Sequence, residues 1–255
     1  MELYQRSMRG SSELSNHTIN PWSVKAPEKL FQVQDENKDI EYLCLSYNPF
    51  ADVIAVGLDN GHIKLFDEKT LQITSLLKKS LSSSKVDGHT DRVFCIANHP
   101  LNPHEFVSSG WDNTLQVWDV RAPHAVRSIY GVFVCGEGLA FDRRGKELMV
   151  AHWRPWRNLQ FLDYSNGNVI NEVEADPQNP HYLTCAQYIG KDHVAIGGTD
   201  RSLVKIIDKH TLTTLASIKD IGAIYDLDVN TKAQLTGNRI VVATRTNILN
   251  IDFNK

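Results

Sequence analysis

Residues 88–121 of the chain read GHTDRVFCIANHPLNPHEFVSSGWDNTLQVWDVR. Three short apolar runs lie within these residues, and turn formers such as Pro, Asn, Gly and Asp separate them. Runs bounded in this way are typical of β-strands joined by tight connections. A fourth run, HAVRSIY, follows at 124–130. The sequence therefore predicts four consecutive strands in this part of the chain.

The same arrangement recurs along the chain. An apolar run that ends in an acidic residue appears five times, closing at Asp67, Asp119, Asp163, Asp208 and Asp252. These aspartates are 52, 44, 45 and 44 residues apart. The longest interval contains the serine-rich residues 78–87, KKSLSSSKVD, which we interpret as a loop insertion. A repeat of about 45 residues with four strands per unit indicates a β-propeller, in which each unit forms one antiparallel blade.

The second unit resembles the WD-repeat family. It carries the features of that family in order: Gly88-His89, Ser108, Asp112 and Trp118-Asp119. The resemblance implies a buried, hydrogen-bonded tetrad that fixes the blade, made of His89, Ser108, Asp112 and Trp118. The groups are chemically suited to this role, because a carboxylate accepts from an imidazole and a hydroxyl accepts from an indole N–H. The other units replace the tryptophan by Phe66, Leu162, Ile207 and Ile251, so we expect apolar packing to hold them.

We therefore predict an all-β fold: a propeller of about five four-stranded antiparallel blades, at approximately residues 40–77, 88–131, 132–174, 181–218 and 222–255. The last unit stops after its third strand, whereas KLFQVQ at 29–34 belongs to no unit. WD-repeat proteins commonly close their ring with an N-terminal strand, so this resemblance implies that residues 29–34 complete the last blade and remove an open sheet edge. An incomplete propeller with an open ring is the alternative. Residues 1–28 are predicted to form a flexible tail.

Charge and hydropathy exclude several classes of protein. Lys and Arg number 27 against 30 Asp and Glu, a net charge of −3, so no global positive field attracts nucleic acid or an anionic membrane. Apolar runs such as GVFVCG at 131–136 are much shorter than the ~20 residues of a membrane helix. The N-terminus lacks the apolar core of a secretory signal. We expect a cytoplasmic or nuclear protein that binds neither membrane nor nucleic acid.

The four cysteines follow the repeat. Cys44, Cys95, Cys135 and Cys185 are each predicted in the first strand of a different unit. A small side chain at a repeated position of an inner strand indicates core packing. The chain contains no C-x-x-C pair, so we predict structural thiols rather than disulfides or zinc ligands.

Motifs for catalysis are missing from the sequence. It contains no G-x-S-x-G and no phosphate-binding loop that ends in G-K-S/T. The acidic residues of the predicted inner strands show no paired spacing: Glu41, Glu137, Asp226 and Asp228. We predict that the protein is not an enzyme and takes no cofactor or metal. A propeller hydrolase is the less favoured alternative.

In the WD-repeat family, the turns between the second and third strands of the blades lie on one face of the disc. By this resemblance, three tryptophans and their neighbouring arginines are candidate partner-binding residues: Arg92, Trp111, Trp153, Arg154, Trp156 and Arg157. Aromatic and arginine side chains that a rigid scaffold presents on loops are typical of interaction hot spots. The expected partner is a protein or peptide, and the arginines favour an acidic one. The alternative is that Trp153 and Trp156 pack locally against Pro155 and the blade edge.

A second candidate site lies in the same unit. Residues 106–121, FVSSGWDNTLQVWDVR, match the pattern by which some WD-repeat proteins dock on the adaptor of cullin-RING ubiquitin ligases. The resemblance implies that Arg121 is the exposed anchor and that Asp119 orients it. The predicted function is a non-catalytic protein-interaction scaffold. A substrate receptor of a cullin-RING ligase is the alternative.

Overall fold

The structure is a computed structural model. It describes residues 18–19, 33–34, 39–82, 84–174, 181–199, 203–219, 221–230 and 238–253. The helices and strands assigned within these ranges are all β-strands. The chain divides into two compact units, Met1–Gly131 and Val132–Lys255.

The first unit contains a short ladder and two four-stranded sheets. The ladder pairs β1 (Thr18–Ile19) with β2 (Val33–Gln34). Sheet 1 consists of β3 (Tyr42–Tyr47), β4 (Val53–Leu58), β5 (Ile63–Asp67) and β6 (Ile73–Leu77). Sheet 2 consists of β7 (Val93–Asn98), β8 (Glu105–Gly110), β9 (Thr114–Asp119) and β10 (Arg127–Tyr130).

The second unit contains three sheets. Sheet 3 consists of β11 (Leu139–Phe141), β12 (Glu147–Ala151), β13 (Leu159–Asp163) and β14 (Val169–Val173). Sheet 4 consists of β15 (Leu183–Ile189), β16 (His193–Gly198), β17 (Leu203–Asp208) and β18 (Thr214–Ile218). Sheet 5 consists of β19 (Ile224–Asn230), β20 (Asn238–Thr244) and β21 (Ile248–Phe253).

Each sheet is an antiparallel meander, and in sheets 1 to 3 the second and third strands are the most buried. In β4 every residue after Val53 is buried, and in β9 every residue before Asp119 is buried. Outer strands are exposed, and all five residues of β18 are open to solvent. This gradient explains the sequence pattern, because a strand covered on both faces reads as a continuous apolar run. The prediction of an all-β fold of antiparallel sheets is confirmed.

The cores lie between neighbouring sheets of the same unit. In the first unit, Trp118 and Phe106 of sheet 2 pack in one cluster with Ile63, Leu65 and Leu77 of sheet 1. In the second unit, residues of sheets 3 and 4 form a corresponding cluster that includes Leu159, Phe161, Ile196 and Ile207. A third cluster joins sheets 4 and 5. Face-to-face burial of this kind is the dominant favourable term for these sheets.

Closure of the last sheet stays a prediction. Val33–Gln34, which belongs to the expected closing strand at 29–34, is paired with Thr18–Ile19 in the described structure. Sheet 5 has three strands within the ranges that the structure describes. Of the tail predicted at 1–28, Thr18–Ile19 is a strand, and its remaining residues lie outside the described ones. The predicted domain limits likewise stay predictions.

The expectation for Cys135 is wrong in one respect. The first strand of sheet 3 begins at Leu139, so Cys135 lies before it and not within it. A tight turn explains the delay, because Gly138 N donates to Gly136 O at 2.9 Å and Gly136 has a φ of +114°, which only glycine adopts easily. Cys44, Cys95 and Cys185 do lie in first strands, and all four cysteines are free thiols.

Candidate functional site

The structure places the four tetrad residues of sheet 2 in one hydrogen-bonded chain. The Trp118 indole N–H donates to Ser108 Oγ at 2.7 Å. Ser108 Oγ lies 2.7 Å from His89 Nε2, and His89 Nδ1 lies 2.8 Å from Asp112 Oδ2. Since the carboxylate can only accept, His89 Nδ1 carries a proton and donates to it. Each of the four tetrad side chains has a hydrogen-bond partner, so these buried groups stabilise the blade.

Asp112 also organises the turn that joins β8 and β9. Its Oδ1 accepts from the backbone N–H and the hydroxyl of Thr114, and its Oδ2 accepts from the N–H of Thr90. Burial raises the pKa of the Asp112 carboxyl, but the hydrogen bond and charge of His89 and the donors of Thr114 and Thr90 outweigh it and leave the pKa below its usual value. The carboxylate therefore stays ionised at neutral pH.

Trp111 precedes this turn and is 38% exposed. Its ring centre lies 5.0 Å from that of Phe94 and 5.4 Å from the Arg92 guanidinium carbon. The backbone N–H of Trp111 also donates to the backbone carbonyl of Arg92 at 3.1 Å. We call Arg92, Phe94 and Trp111 the Trp111 cluster. A cation over one part of the ring and an aromatic neighbour hold the indole in place while leaving part of it in contact with solvent.

Residues 152–158, HWRPWRN, join β12 and β13 in the second unit. We call this segment the tryptophan turn. Trp156 at its tip is 65% exposed. The turn is closed at its base, where His152 N donates to Asn158 O at 2.7 Å. Arg157 adopts a φ of +46°, a left-handed conformation that is strained for a residue with a side chain.

Side chains within the tryptophan turn fix its backbone. The Arg154 guanidinium donates to Arg157 O at 3.2 Å and to Gln160 Oε1 at 3.2 Å. Arg157 Nε lies 3.3 Å from Glu172 Oε1. Burial and the charge of Arg157 lower the pKa of the Arg154 guanidinium, and Glu172 partly opposes them. Arg154 is thus an internal support of the turn, whereas Arg157, whose side chain is 68% exposed, faces solvent.

The two tryptophans of this turn have different environments. Trp153 is half-buried, and its ring centre lies 5.2 Å from that of Tyr182. The backbone N–H of Trp153 donates to the backbone carbonyl of Phe133 at 2.8 Å. Trp153 thus packs against a residue distant in the chain, and whether it takes part in partner binding stays a prediction. Trp156 is the exposed member of the pair. Sequence reasoning could not separate them, because Tyr182 is distant in the chain.

A buried polar group beneath the turn was missed from the sequence. His152 is fully buried, and its Nε2 donates to Gln160 Oε1 at 2.9 Å while its Nδ1 accepts from Phe133 N at 3.4 Å. Gln160 Nε2 in turn donates to Glu172 Oε2 at 3.0 Å. The signal in the sequence was the Leu-Gln pair near the start of the third strand in both the second and third units, LQVWD and LQFLD.

Burial, followed by the charge of Arg154, lowers the pKa of His152 to about 3, although the hydrogen bond to Gln160 opposes this shift. The imidazole is therefore neutral at physiological pH. Its proton lies on Nε2, since Nδ1 accepts from a backbone N–H. If the imidazole took up another proton, this proton would be on Nδ1 and would point at the Phe133 N–H. The site therefore favours the neutral imidazole.

Arg121 and Asp119, the candidate adaptor-docking pair, form a two-pronged ion pair. Arg121 Nε donates to Asp119 Oδ1 at 2.8 Å and one terminal nitrogen donates to Oδ2 at 2.5 Å. The Arg121 side chain is 67% exposed. The hydrogen bonds from Arg121 lower the pKa of Asp119 to about 2, although partial burial opposes them. Asp119 thus orients an exposed Arg121 side chain, and adaptor docking by this pair stays a prediction.

Comparison with known proteins follows the same repeat. Residues 80–119 match the family described as WD domain, G-beta repeat. One chain in the crystal structure of the mitotic checkpoint complex superposes with a TM-score of 0.74 at 14% identity, covering 94% of this chain and 69% of that chain. The Cps50 (Swd1) β-propeller domain of Myceliophteria thermophila superposes with a TM-score of 0.65 at 17% identity, covering 82% and 64%.

The chain thus carries a WD40 repeat at residues 80–119, and its fold matches that of WD40 β-propeller structures. Among curated relatives, the ribosome biogenesis protein YTM1 of Candida albicans is 31% identical over 120 residues, which cover 47% of this chain and 24% of that protein. The denticleless protein homologue of Gallus gallus is 24% identical over 193 residues, covering 71% and 26%. The matched part is therefore about a quarter of the length of these relatives. Within the described residues, no helix is long and apolar enough to cross a membrane.

Proposed function

We propose that this WD40 chain is a non-catalytic interaction scaffold that binds a partner protein through the tryptophan turn. The observation that supports this proposal is the exposure of Trp156, 65% of whose surface is open to solvent. Its turn is fastened from within by Arg154 and by Asn158, whose Nδ2 donates to His181 O at 2.9 Å. An exposed indole on a fastened turn is a typical anchor for a protein interface.

The mechanism is preorganisation. A flexible loop loses conformational entropy when it binds, and this loss subtracts from the affinity. The tryptophan turn has lost much of that freedom already, because His152, Arg154 and Asn158 hold its backbone. The strained φ of Arg157 is consistent with a turn whose shape is determined by these contacts.

The arginines indicate the chemistry of the partner. The exposed Arg157 guanidinium offers a planar set of donors that suits a carboxylate. Its contact with Glu172 is at the surface, where an ion pair contributes little, so an acidic side chain of a partner can join or replace it. We therefore propose an acidic peptide segment that contacts Trp156 through an apolar residue.

Capture experiments with Trp156→Ala test the proposal. Loss of a central aromatic anchor commonly costs 2 kcal/mol or more, so we expect capture of the partner to fall by at least about tenfold while the melting temperature stays unchanged. Phe50→Ala is the matched control, since Phe50 is an aromatic residue with 66% exposure elsewhere on the surface. Equal capture by both variants would remove the tryptophan turn from consideration.

The Trp111 cluster is the second surface that we propose for partner binding. Arg92 and Phe94 hold the partly exposed indole, so less rotamer freedom is lost on association. Trp111→Ala is expected to weaken partner capture at unchanged fold. If capture depends on Trp156 and not on Trp111, the interface is confined to the tryptophan turn.

Docking on a cullin-RING ligase adaptor is the alternative function, and the exposed Arg121 held by Asp119 is the observation that favours it. Co-precipitation of the adaptor with Arg121→Ala is the discriminating experiment, with the exposed Arg143→Ala as a control for lost charge. We expect Arg121→Ala to lose the adaptor and Arg143→Ala to retain it. Adaptor binding that survives Arg121→Ala contradicts the proposed role of this pair.

A further inference from the structure

A cavity of about 290 Å³ lies between sheet 3 and sheet 4 of the second unit. We call it the inter-sheet cavity. Its apolar walls come from Leu159 and Val173 of sheet 3 and from Ile196 and Ile207 of sheet 4. It reaches the surface beside Thr214, which is exposed. The cavity thus combines a buried apolar interior with access from solvent.

The strand register shows which residue of sheet 2 corresponds to Ile207 of sheet 4. Ile207 is the next-to-last residue of β17 and pairs with Val194. Trp118 is the next-to-last residue of β9 and pairs with Phe106. Both residues directly precede the repeated aspartate that ends the third strand of their sheet. Ile207 therefore occupies the position of the blade tryptophan.

The facing sheet has matching positions as well. Leu159 pairs with Val173 in sheet 3, as Ile63 pairs with Leu77 in sheet 1. Between sheets 1 and 2, the indole of Trp118 packs in the same core cluster as Ile63 and Leu77. The inter-sheet cavity therefore lies where the first unit holds a tryptophan ring, and the smaller Ile207 leaves that place open.

The size of the cavity agrees with this comparison. A water molecule takes up about 30 Å³ in the liquid, so 290 Å³ corresponds to about ten non-hydrogen atoms. Apolar cavities of roughly 150 Å³ are known to hold a benzene ring. A bicyclic ring such as indole is therefore of suitable size for this space.

One end of the cavity is polar and basic. Lys205 Nζ lies 3.5 Å from His181 Nε2, and both residues line the cavity with Asn158. Lys205 pairs with Ile196 in sheet 4, as Gln116 pairs with Ser108 in sheet 2. Lys205 therefore corresponds to Gln116. A charged ammonium thus replaces a neutral amide at this end. Glu174 also lines the cavity, but it is exposed, so water screens its charge.

We infer that the inter-sheet cavity binds a planar aromatic group of indole size that carries a carboxylate. The ring lies against Val173 and Ile207, in the place that Trp118 fills between sheets 1 and 2. The carboxylate lies toward Lys205, whose ammonium has three donors and can add a charge-assisted hydrogen bond to the contacts that it already makes, such as that with His181. This site is separate from the tryptophan turn and does not depend on the proposed scaffold function.

Methyl-resolved NMR titration of the full chain with indole-3-acetate and with indole tests the inference. We expect saturable shifts of the Val173, Ile196 and Ile207 methyl groups and a dissociation constant of about 1 mM or tighter for indole-3-acetate. Indole, which lacks the carboxylate, is expected to bind at the same place about tenfold more weakly. Absence of saturable shifts at about tenfold higher concentration, or shifts confined to other residues, overturns the inference.

Two kinds of variant separate the ring from the charge. Ile207→Trp fills the cavity from sheet 4 and is expected to abolish binding of both probes. If that variant does not fold, Val173→Phe fills the cavity from sheet 3. Lys205→Gln is expected to weaken binding of indole-3-acetate about tenfold and to leave binding of indole unchanged, whereas Lys219→Gln, at an exposed lysine that directly follows β18, affects neither. Binding that persists in a folded, cavity-filled variant contradicts the inference.

A free aromatic acid and a tryptophan side chain beside an acidic residue of a partner share this chemistry. Titration with N-acetyl-Asp-Trp-amide alongside indole-3-acetate distinguishes the two sources. Tighter binding of the peptide assigns the site to a protein partner, and tighter binding of the free acid assigns it to a small metabolite. Loss of both in the cavity-filled variant supports the site itself, and retention of both overturns it.

Discussion

Gln116 and Gln160 occupy the same position of the third strand in sheets 2 and 3, yet they belong to different networks. Gln116 donates to Thr114 Oγ1 at 2.9 Å and accepts from Ser128 Oγ at 2.6 Å. Gln160 accepts from His152 and donates to Glu172. A buried amide needs partners wherever it stands, but the repeat position alone does not select them. Local sequence thus indicates that a polar group is buried and leaves its function open.

His152 gives the first prediction at the residue scale. In the unfolded chain an imidazole has a pKa near 6.5, whereas burial and the charge of Arg154 lower the pKa of His152 to about 3 in the folded protein. As the pH falls from about 6.5 toward about 3, the unfolded chain takes up a proton that the folded chain refuses. The free energy of unfolding is therefore expected to fall, by up to about 2 kcal/mol between about pH 7 and about pH 5.

Urea unfolding of the wild type and of His152→Gln at both pH values isolates this contribution from that of other groups. The glutamine variant has no imidazole to titrate, so its free energy of unfolding is expected to lose about 2 kcal/mol less over the same interval. Equal pH dependence of the two proteins would show that His152 is not held neutral.

The tetrad gives a second prediction at this scale. Trp118→Phe keeps a ring in the core but removes the donor to Ser108 and leaves a void beside Leu65 and Leu77. We expect the free energy of unfolding to fall by about 2–4 kcal/mol, from the unpaired polar group and the lost volume together. Trp156→Phe, at an exposed indole, serves as the control and is expected to change stability by less than about 0.5 kcal/mol.

At the scale of strands and sheets, contacts between sheets 3 and 4 are polar at one place. Tyr188 of β15 donates its hydroxyl to Glu147 Oε1 of β12 at 2.8 Å, and Lys209 Nζ lies 2.6 Å from the same oxygen. The Lys209 ammonium also lies 5.5 Å from the centre of the Tyr188 ring. Burial, followed by the charge and hydrogen bond of Glu147, raises the pKa of Tyr188, so the phenol remains a donor at any physiological pH.

A double-mutant cycle tests this link between sheets. Tyr188→Phe is expected to lower the free energy of unfolding by about 1–2 kcal/mol, since a carboxylate loses one donor in a largely buried place. Lys209→Met keeps the aliphatic stem and removes the charge. Because both residues contact the same carboxylate, the double variant is expected to differ from the sum of the single changes by at least about 0.5 kcal/mol. Additive effects would show that the two contacts are independent.

At the scale of the whole molecule, the cysteines are reporters distributed along the repeat. Cys44, Cys95 and Cys185 lie in the first strands of sheets 1, 2 and 4, and Cys135 precedes sheet 3. Cys95 is 3% exposed and Cys185 is fully buried, whereas Cys44 and Cys135 are partly exposed. Burial raises the pKa of the Cys185 thiol, so little of the reactive thiolate is present.

Alkylation of the native protein, followed by mass spectrometry, is expected to reflect this difference. Cys95 and Cys185 should react at least about tenfold more slowly than Cys135, because their sheets must open first. In urea above the unfolding midpoint, all four should react at similar rates. Rapid native labelling of Cys185 would contradict the described packing of sheet 4.

The period of the repeat, the order of strands within each sheet and the members of the tetrad were predictable from the sequence. These features arise between residues close in the chain, where a strand pattern and a turn residue determine which neighbour pairs with which. The late start of sheet 3 after Cys135 was not predicted, although it too follows from a local feature, the turn at Gly136–Gly138.

The exposure of Trp156, the partial burial of Trp153 and the cavity beside Ile207 required the tertiary structure. Tyr182 packs against Trp153, and sheet 3 supplies Leu159 and Val173 to the cavity that Ile207 lines, although neither Tyr182 nor these two residues are near their partners in sequence. A repeat pattern specifies the inside of one sheet. The contacts of a side chain with the neighbouring sheet depend on the volumes of the side chains that the neighbouring sheet supplies. Because protein interiors are closely packed, a change in the size of one side chain is enough to alter these contacts.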